Sequence, residues 1–388
     1  MMVPKTGCAL MNRIYLDYNA STPIAPEVAD AMRPFLAEHF GNPSSHHWAG
    51  APAKAALEHA RTRVAGLLSC KPGEVVFTSG GTEANNHAIK GAFFARRGRG
   101  HHIITTQIEH PATLQPCRFL EQLGAEITYL PVDGTGMVDP DDVRKAITAH
   151  TILVSVMHAN NEVGTIQPIG AIARITRERG VLLHTDAAQS VGKVRTNVDD
   201  LGVDLLSVAG HKVYAPKGVG ALYIREGVAL EPLLHGAGHE SGRRAGTENV
   251  LLDVGLGVAC DLAVKEFDTR IARLTHLRDY FHAGLSELFG PDLHLNGHPS
   301  ARLPNTLNVS FEGRIGSEVL EVLENVAAST GSACHSGRRE LSPVLKAMGV
   351  SEAIGLGAVR FSLGRGTTQE EIDLVLELLR TKLLRRTA

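Results

Sequence analysis

Lys212 closes an apolar, strand-like run, Val203-Asp204-Leu205-Leu206-Ser207-Val208-Ala209, that breaks at Gly210-His211. A lysine at the end of a buried strand loses hydration, which disfavours its ammonium form and lowers its pKa. The neutral amine is a nucleophile that forms a Schiff base with an aldehyde such as pyridoxal phosphate (PLP). Asp186 ends the preceding apolar run, Val181-Leu182-Leu183-His184-Thr185, where small residues begin. A sequestered carboxylate needs a cation or hydrogen-bond donors, and a protonated pyridine nitrogen is such a partner. Cys334 stands among Ser332, Ala333, His335 and Ser336, with Arg338 and Arg339 close by. Cationic neighbours favour the thiolate, the reactive form of cysteine.

The other parts of such a site occur in order around Lys212. Glu74-Val75-Val76-Phe77-Thr78-Ser79 reads as a strand, followed by Gly80-Gly81-Thr82 and a helical pattern. Strand, glycine turn and helix start make a phosphate cup, with free N–H groups facing the anion. His110 ends the strand His102–Thr106 and its short extension, where a flat ring can cover a cofactor or carry a proton. Asn161 and Gln189 are polar residues at further strand ends, and Arg360 is a charge within the apolar run Ala358–Leu363. An inward arginine can hold a carboxylate bidentately. Each has a plainer reading when taken alone. Gly-His-Lys is commonly a surface turn, Asp186 or His110 can cap a helix, and Arg360 can face solvent.

The elements that must position these residues alternate strand and helix from Val75 to Ile224, the pattern of a parallel sheet coated by helices. Helices are predicted over about 51–68, 82–95, 111–123, 139–148 and 168–179. A long helical pattern from Val250 to about Leu288 carries a break and joins this part to an α+β segment. That segment holds strands near 302–311 and 358–363, and a capping box at Thr368-Gln369-Glu370-Glu371 opens its last helix. The expected domains are 13–261, binding the cofactor, and 262–388, smaller and carrying Cys334. Residues 13–26 are expected to pack with the smaller one.

At 388 residues the chain is long for a single core. A net charge of −2 gives no electrostatic case for nucleic acid. The histidine pairs His46-His47 and His101-His102 read as solvated loop, and no metal site is expected. Five cysteines without a CxxC spacing point to reduced thiols rather than a disulfide framework. No apolar run approaches a membrane span, so a cytoplasmic protein is expected.

Together these segments resemble the cysteine desulfurases of the NifS/IscS type, class-V members of the fold-type-I PLP enzymes. The likeness is carried jointly by Thr78-Ser79-Gly80-Gly81-Thr82-Glu83, His110, Asn160-Asn161-Glu162, His184-Thr185-Asp186-Ala187-Ala188-Gln189, Gly210-His211-Lys212, Arg244-Ala245-Gly246-Thr247-Glu248-Asn249 and Gly331-Ser332-Ala333-Cys334. It implies an α/β fold with a mainly parallel sheet in the large domain. It implies that Lys212 binds PLP, Asp186 pairs the pyridine nitrogen, His110 stacks on the ring and Gln189 contacts the ring oxygen. Gly81, Thr82 and His211 would hold the phosphate, joined by Thr247 from the other subunit of a homodimer. Asn161 and Arg360 would hold the carboxylate of L-cysteine. Cys334 would take the sulfur as a persulfide for an acceptor such as an iron–sulfur scaffold. Ala209 stands where many members have a phosphate-binding serine. With Cys334-His335-Ser336 and Ser342-Pro343-Val344-Leu345 it is reminiscent of selenocysteine lyases, so release of selenium from L-selenocysteine is the alternative reading. An aminotransferase on the same fold and an inactive binding scaffold are the more distant ones.

Overall fold

The computed structural model describes residues 13–330 and 340–384. Its strands are β1 (Ile14–Tyr15), β2 (Val75–Thr78), β3 (His102–Thr106), β4 (Glu126–Leu130), β5 (Thr151–Ser155), β6 (Leu182–Asp186), β7 (Leu205–Ala209), β8 (Gly220–Ile224), β9 (Leu293–Asn296), β10 (Thr306–Phe311), β11 (Val326–Ala327) and β12 (Ala358–Ser362). Seven form one sheet in the order β2-β8-β7-β6-β5-β3-β4. Only β8 runs against its neighbours.

Strands β3 and β5–β8 are buried along their whole length. Burial on both faces explains why they read as continuous apolar runs rather than as alternation. One face packs Val64, Leu68, Leu183, Leu206 and Leu256 together, under the helices Gly50–Leu68 and Val250–Lys265. The other packs Ile89, Phe93, Leu120 and Leu205, under Gly81–Ala95 and Pro111–Glu121. All these crossovers leave the carboxyl ends of β3, β5, β6 and β7 side by side at one edge, where open α/β sheets bind ligands.

A second core surrounds the antiparallel sheet β9-β10-β12 and contains Leu277, Phe281, Val309, Phe361 and Ile372. Ile14 and Leu16 belong to it, because β1 pairs with β11 in parallel. Strand β1 is only two residues long. Beyond it Asp17 makes a single bridge to Ser362, as the chain crosses from β11 to β12. The break in the long helical pattern falls at Glu266, between Val250–Lys265 and Phe267–Phe289. The capping box forms at Thr368 and Glu371. The reading of His101-His102 as solvated loop is corrected. His102 is buried on β3, and its two ring nitrogens bond Thr151 and Thr128, joining three strands. Among the described residues no cluster has the makings of a metal site, and no helix is long and apolar enough to cross a membrane.

Candidate active site

The apolar run of β7 ends at Ala209, and the chain tightens into a 3-10 turn, Gly210–Lys212. Gly210 suits this turn because a Cβ there would lie 2.8 Å from the Val219 carbonyl oxygen. The turn delivers the Lys212 side chain into a cavity of about 390 Å3. Lys212 Nζ donates to the backbone carbonyls of Asn19 at 2.6 Å and Ala20 at 2.7 Å. Burial, aided by the nearby Arg360 cation, pushes its pKa down to about 8, against the opposite pull of Asp17 and Asp186. A substantial fraction of neutral amine is therefore present near neutral pH, as the strand-end position led us to expect.

Asp186 ends β6, paired in register with Ser207 of β7. Its carboxylate accepts from Asn85 Nδ2 at 2.6 Å and from the Ala188 amide at 2.9 Å. Both donors are neutral, which leaves the charge available to a cation entering the cavity. His110 realises two readings at once. Its Nδ1 accepts from the Ala112 amide at 3.1 Å, capping the helix Pro111–Glu121, and its ring lines the cavity. Desolvation and the Lys212 charge depress its pKa while Asp186 raises it, with desolvation the largest cause. The capping contact needs an unprotonated Nδ1, in agreement with a neutral ring.

The glycine turn after β2 also faces the cavity. Gly80 adopts φ +144°, a conformation that L side chains rarely adopt, and the helix begins at Gly81. Gly81 packs against β7, where a Cβ would come within 3.1 Å of Ala209 Cβ. Gly81, Thr82 and His211 all line the cavity. Burial, followed by the charges of Lys212 and Lys217, holds His211 down at about 4, so it is neutral. Asn161, Gln189 and Arg360 line the cavity as well. Arg360 is buried on β12, its Nη2 bonded to Asp17 at 2.8 Å and its Nη1 to the Asn161 carbonyl at 2.9 Å. Its Nε has no partner among the described residues.

The structure thus brings together nine of the residues singled out by sequence. Thr247 is not among them. It lines a separate cavity of about 200 Å3, with Ser79, Gly218 and Arg244. Cys334 lies outside the described residues. A larger cavity, about 740 Å3, is lined by residues 237–241 and by the buried Arg61–Glu240 ion pair, and shares no lining residue with the cavity of Lys212.

Three residues that the sequence reading passed over hold the site together. Asn19 is buried, and its backbone carbonyl accepts from both Lys212 and Gln189. Its side chain reaches Thr306, Asn305 and Lys193. Asn85 holds Asp186 from one turn inside the helix that starts at Gly81. Lys193 is buried and donates to Gln189. The available signals were two polar residues, Asn85-Asn86, inside an apolar helical pattern, and a lysine one helical turn after Gln189.

Comparison with known proteins places this geometry. The sequence model of the family described as aminotransferase class-V matches residues 14–375. The cysteine desulfurase IscS of Dictyoglomus turgidum is 52% identical over 372 residues, covering 95% of this chain and 94% of that protein. A solved structure of a NifS-like protein superposes with a TM-score of 0.90 at 39% identity, over 96% of this chain and 100% of its own. A structure described as SspA in complex with cysteine gives 0.81 at 40% identity, over 90% and 98%.

Proposed function

The chain belongs to the aminotransferase class-V family, and on that premise we infer that it is a PLP-dependent cysteine desulfurase, converting L-cysteine to L-alanine. The observation that carries the reading is the convergence, in one cavity, of a depressed strand-end lysine, a carboxylate with only neutral partners, and a buried arginine.

The residues present fit the cofactor. Lys212 supplies the amine for its aldehyde. Asp186 would pair the pyridine nitrogen, and the buried Oδ1 of Asn85, unpartnered among the described residues, lies in the same cluster. The His110 ring would cover the cofactor ring, and Gln189 would donate to the ring oxygen. The helix start at Gly81 and Thr82 would receive the phosphate. His211, neutral, would contribute an N–H rather than a charge. Ala209 offers no hydroxyl, so the phosphate would rely on these donors and on Thr247 from the second subunit of a homodimer. When bound, PLP withdraws electrons from the substrate Cα and so eases loss of its proton.

This chain's own residues do the rest. Arg360 and Asn161 hold the substrate carboxylate, with the Arg360 fork already aimed by Asp17. The Lys212 amine, when free of the cofactor, would be the base that moves the Cα proton, and His110 the second group that could carry one. The thiolate of Cys334 attacks the substrate sulfur. An S–S bond forms as the Cβ–S bond breaks, and the electron pair left on the carbon side is protonated to give the methyl of alanine. The product on the enzyme is a persulfide, which passes to an acceptor thiol such as that of an iron–sulfur scaffold.

A homodimer supports this arrangement. Thr247 lines a cavity other than that of Lys212, and Leu36, Phe40 and Trp48 are 70%, 75% and 83% exposed on the N-terminal helices and the loop after them. The unpaired Cys70, Cys117 and Cys260 suit a reducing, cytoplasmic setting. The test is borohydride reduction of the PLP-loaded protein followed by peptide mapping. The label belongs on Lys212, and Lys212→Ala should lose it together with multiple turnover. A label on Lys193 or Lys217 overturns the assignment.

A further inference from the structure

Lys193 is a buried lysine for which the chemistry above has no use. Its Nζ donates to Gln189 Oε1 at 3.0 Å and to Asn19 Oδ1 at 3.3 Å. Both acceptors are neutral amide oxygens. Charged or titratable groups face it from several elements: Lys212 on the β7 turn, Arg360 on β12 and Arg270 on the helix Phe267–Phe289, with Tyr18 and Tyr214 lining the small void beside it. None of these is a carboxylate. Burial and these cations hold its pKa well below the ordinary lysine value. A neutral amine has two N–H groups, enough for both contacts, so the site needs a donor here rather than a charge.

The consequence falls on Gln189. A carboxamide can present either its oxygen or its NH2 to a given neighbour, and only its partners decide which. Here Lys193 donates to one end, while the other end meets the Asn19 carbonyl at 2.9 Å, which can only accept. Both contacts favour the same orientation, and turning the carboxamide over would forfeit the two together. Gln189 Nε2 therefore has one hydrogen on Asn19 and a second free, and Gln189 lines the cavity beside Lys212.

We infer that Lys193 is a positioning residue that locks the Gln189 carboxamide as a donor toward the cavity and thereby keeps the Lys212 nitrogen acidic. With the lock in place, Lys212 faces no amide oxygen from Gln189. Without it, the Asn19 contact is the one restraint left, and a turn that gives up this single bond sets the amide oxygen toward the Lys212 ammonium, which already donates to the same carbonyl and would be stabilised as the charged form. The part concerning bound PLP rests on the function proposed above, since a donor at the ring oxygen makes that oxygen less basic and loosens the proton on the Lys212 nitrogen.

The experiment compares Lys193→Met with wild type in the full-length protein, each also in a Gln189→Ala background. In the cofactor-free protein, the rate at which an acid anhydride labels Lys212 is followed against pH by peptide mass spectrometry. In the PLP-loaded protein, the visible absorbance is titrated. Lys193→Met should raise the labelling midpoint, lowering the reactive fraction at fixed pH about threefold, or half a pH unit. It should also raise the absorbance midpoint. Neither shift should appear in the Gln189→Ala background. Equal shifts in both backgrounds would mean that Lys193 acts by its charge, and would overturn the lock, as would no shift at all. A labelling shift with an unmoved absorbance midpoint would keep the lock and refute the Gln189–cofactor contact instead. If Lys193→Met does not fold, Lys193→Leu carries the same comparison, because it too removes the donor to Gln189.

Discussion

Ser329 and Arg360 exchange both of their backbone hydrogen bonds, Ser329 N to Arg360 O at 3.2 Å and Arg360 N to Ser329 O at 2.6 Å. The chain therefore enters the 331–339 segment from beside the residue proposed to hold the substrate carboxylate. It returns at Ser342, whose hydroxyl donates to Glu162, next to Asn161 in sequence. Each attachment point thus adjoins a residue that lines the cavity, Arg360 at one and Asn161 at the other. Four residues past Thr330, a span of at most about 14 Å, bring the chain to Cys334.

Cys334→Ala should accordingly separate binding from sulfur transfer. The variant should keep PLP and bind L-cysteine, yet form no persulfide and lose nearly all cysteine turnover. A selenol is a better leaving group than a thiol, so any turnover of L-selenocysteine should fall less. Mass spectrometry after incubation with cysteine should place the added sulfur on Cys334. Its appearance on Cys70, Cys117 or Cys260 would refute the role. Burial raises the pKa of each of these three thiols to about 12, so little thiolate is expected on them.

Arg360 has two measurable effects. Arg360→Gln should weaken L-cysteine binding by about 2–5 kcal/mol, the usual cost of breaking a buried charge-assisted contact, with PLP content near normal. It also removes a cation that depresses Lys212. Lys212 reacts as the neutral amine, so its labelling rises with pH through a midpoint near 8 in the cofactor-free wild type, and that midpoint should move upward in the variant. Unchanged cysteine affinity would count against the anchor, and an unmoved midpoint against the coupling.

Asp186→Asn should leave a carboxamide where a charge faces the pyridine nitrogen. Exchange of the substrate Cα proton, followed by NMR in deuterated water, should slow by orders of magnitude while cofactor is retained. Asn85→Ala should produce a smaller loss in the same direction, because it removes one of the two donors that orient the carboxylate. Exchange at the wild-type rate in Asp186→Asn would dissolve the pairing.

Acid stability follows from buried neutral histidines. His184 on β6 bonds Ser155 on β5 and Ser207 on β7, and burial holds its pKa at about 3. Unfolded, it titrates near 6.5. Between those values the unfolded chain binds more protons than the native one, so stability rises with pH and is lost as pH falls below about 6.5. His87 and His158, at about 4, act in the same sense. His184→Gln, with no proton to gain, should flatten the fall in Tm between pH 6.5 and 4. An equally steep fall in the variant would show that His184 is not its source.

The sequence made the sheet legible because its buried strands are unbroken apolar runs, each closed by a polar or small residue. Lys212, Asp186 and His110 were readable for the same reason: each marks a change from apolar run to turn. Asn19 was not, since its importance lies in contacts with residues more than a hundred positions away, such as Lys212 and Ser362. The four-residue β9 went unread because two polar residues interrupt it and Gly297 cuts it short. The inward face of Arg360 could be suspected from its apolar neighbours, but its partner Asp17 could not. That pair crosses from one end of the chain to the other.

The span of Asn19 also bears on how the protein is made. Its amide bonds Ser362, its side chain bonds Thr306 and Asn305, and its carbonyl holds Lys212. Asn19 is synthesised long before Ser362, so the large sheet can form while this carbonyl still lacks the residues of β10 and β12 that fix it. The reactive amine gains its final restraint only once the second sheet has folded against the first.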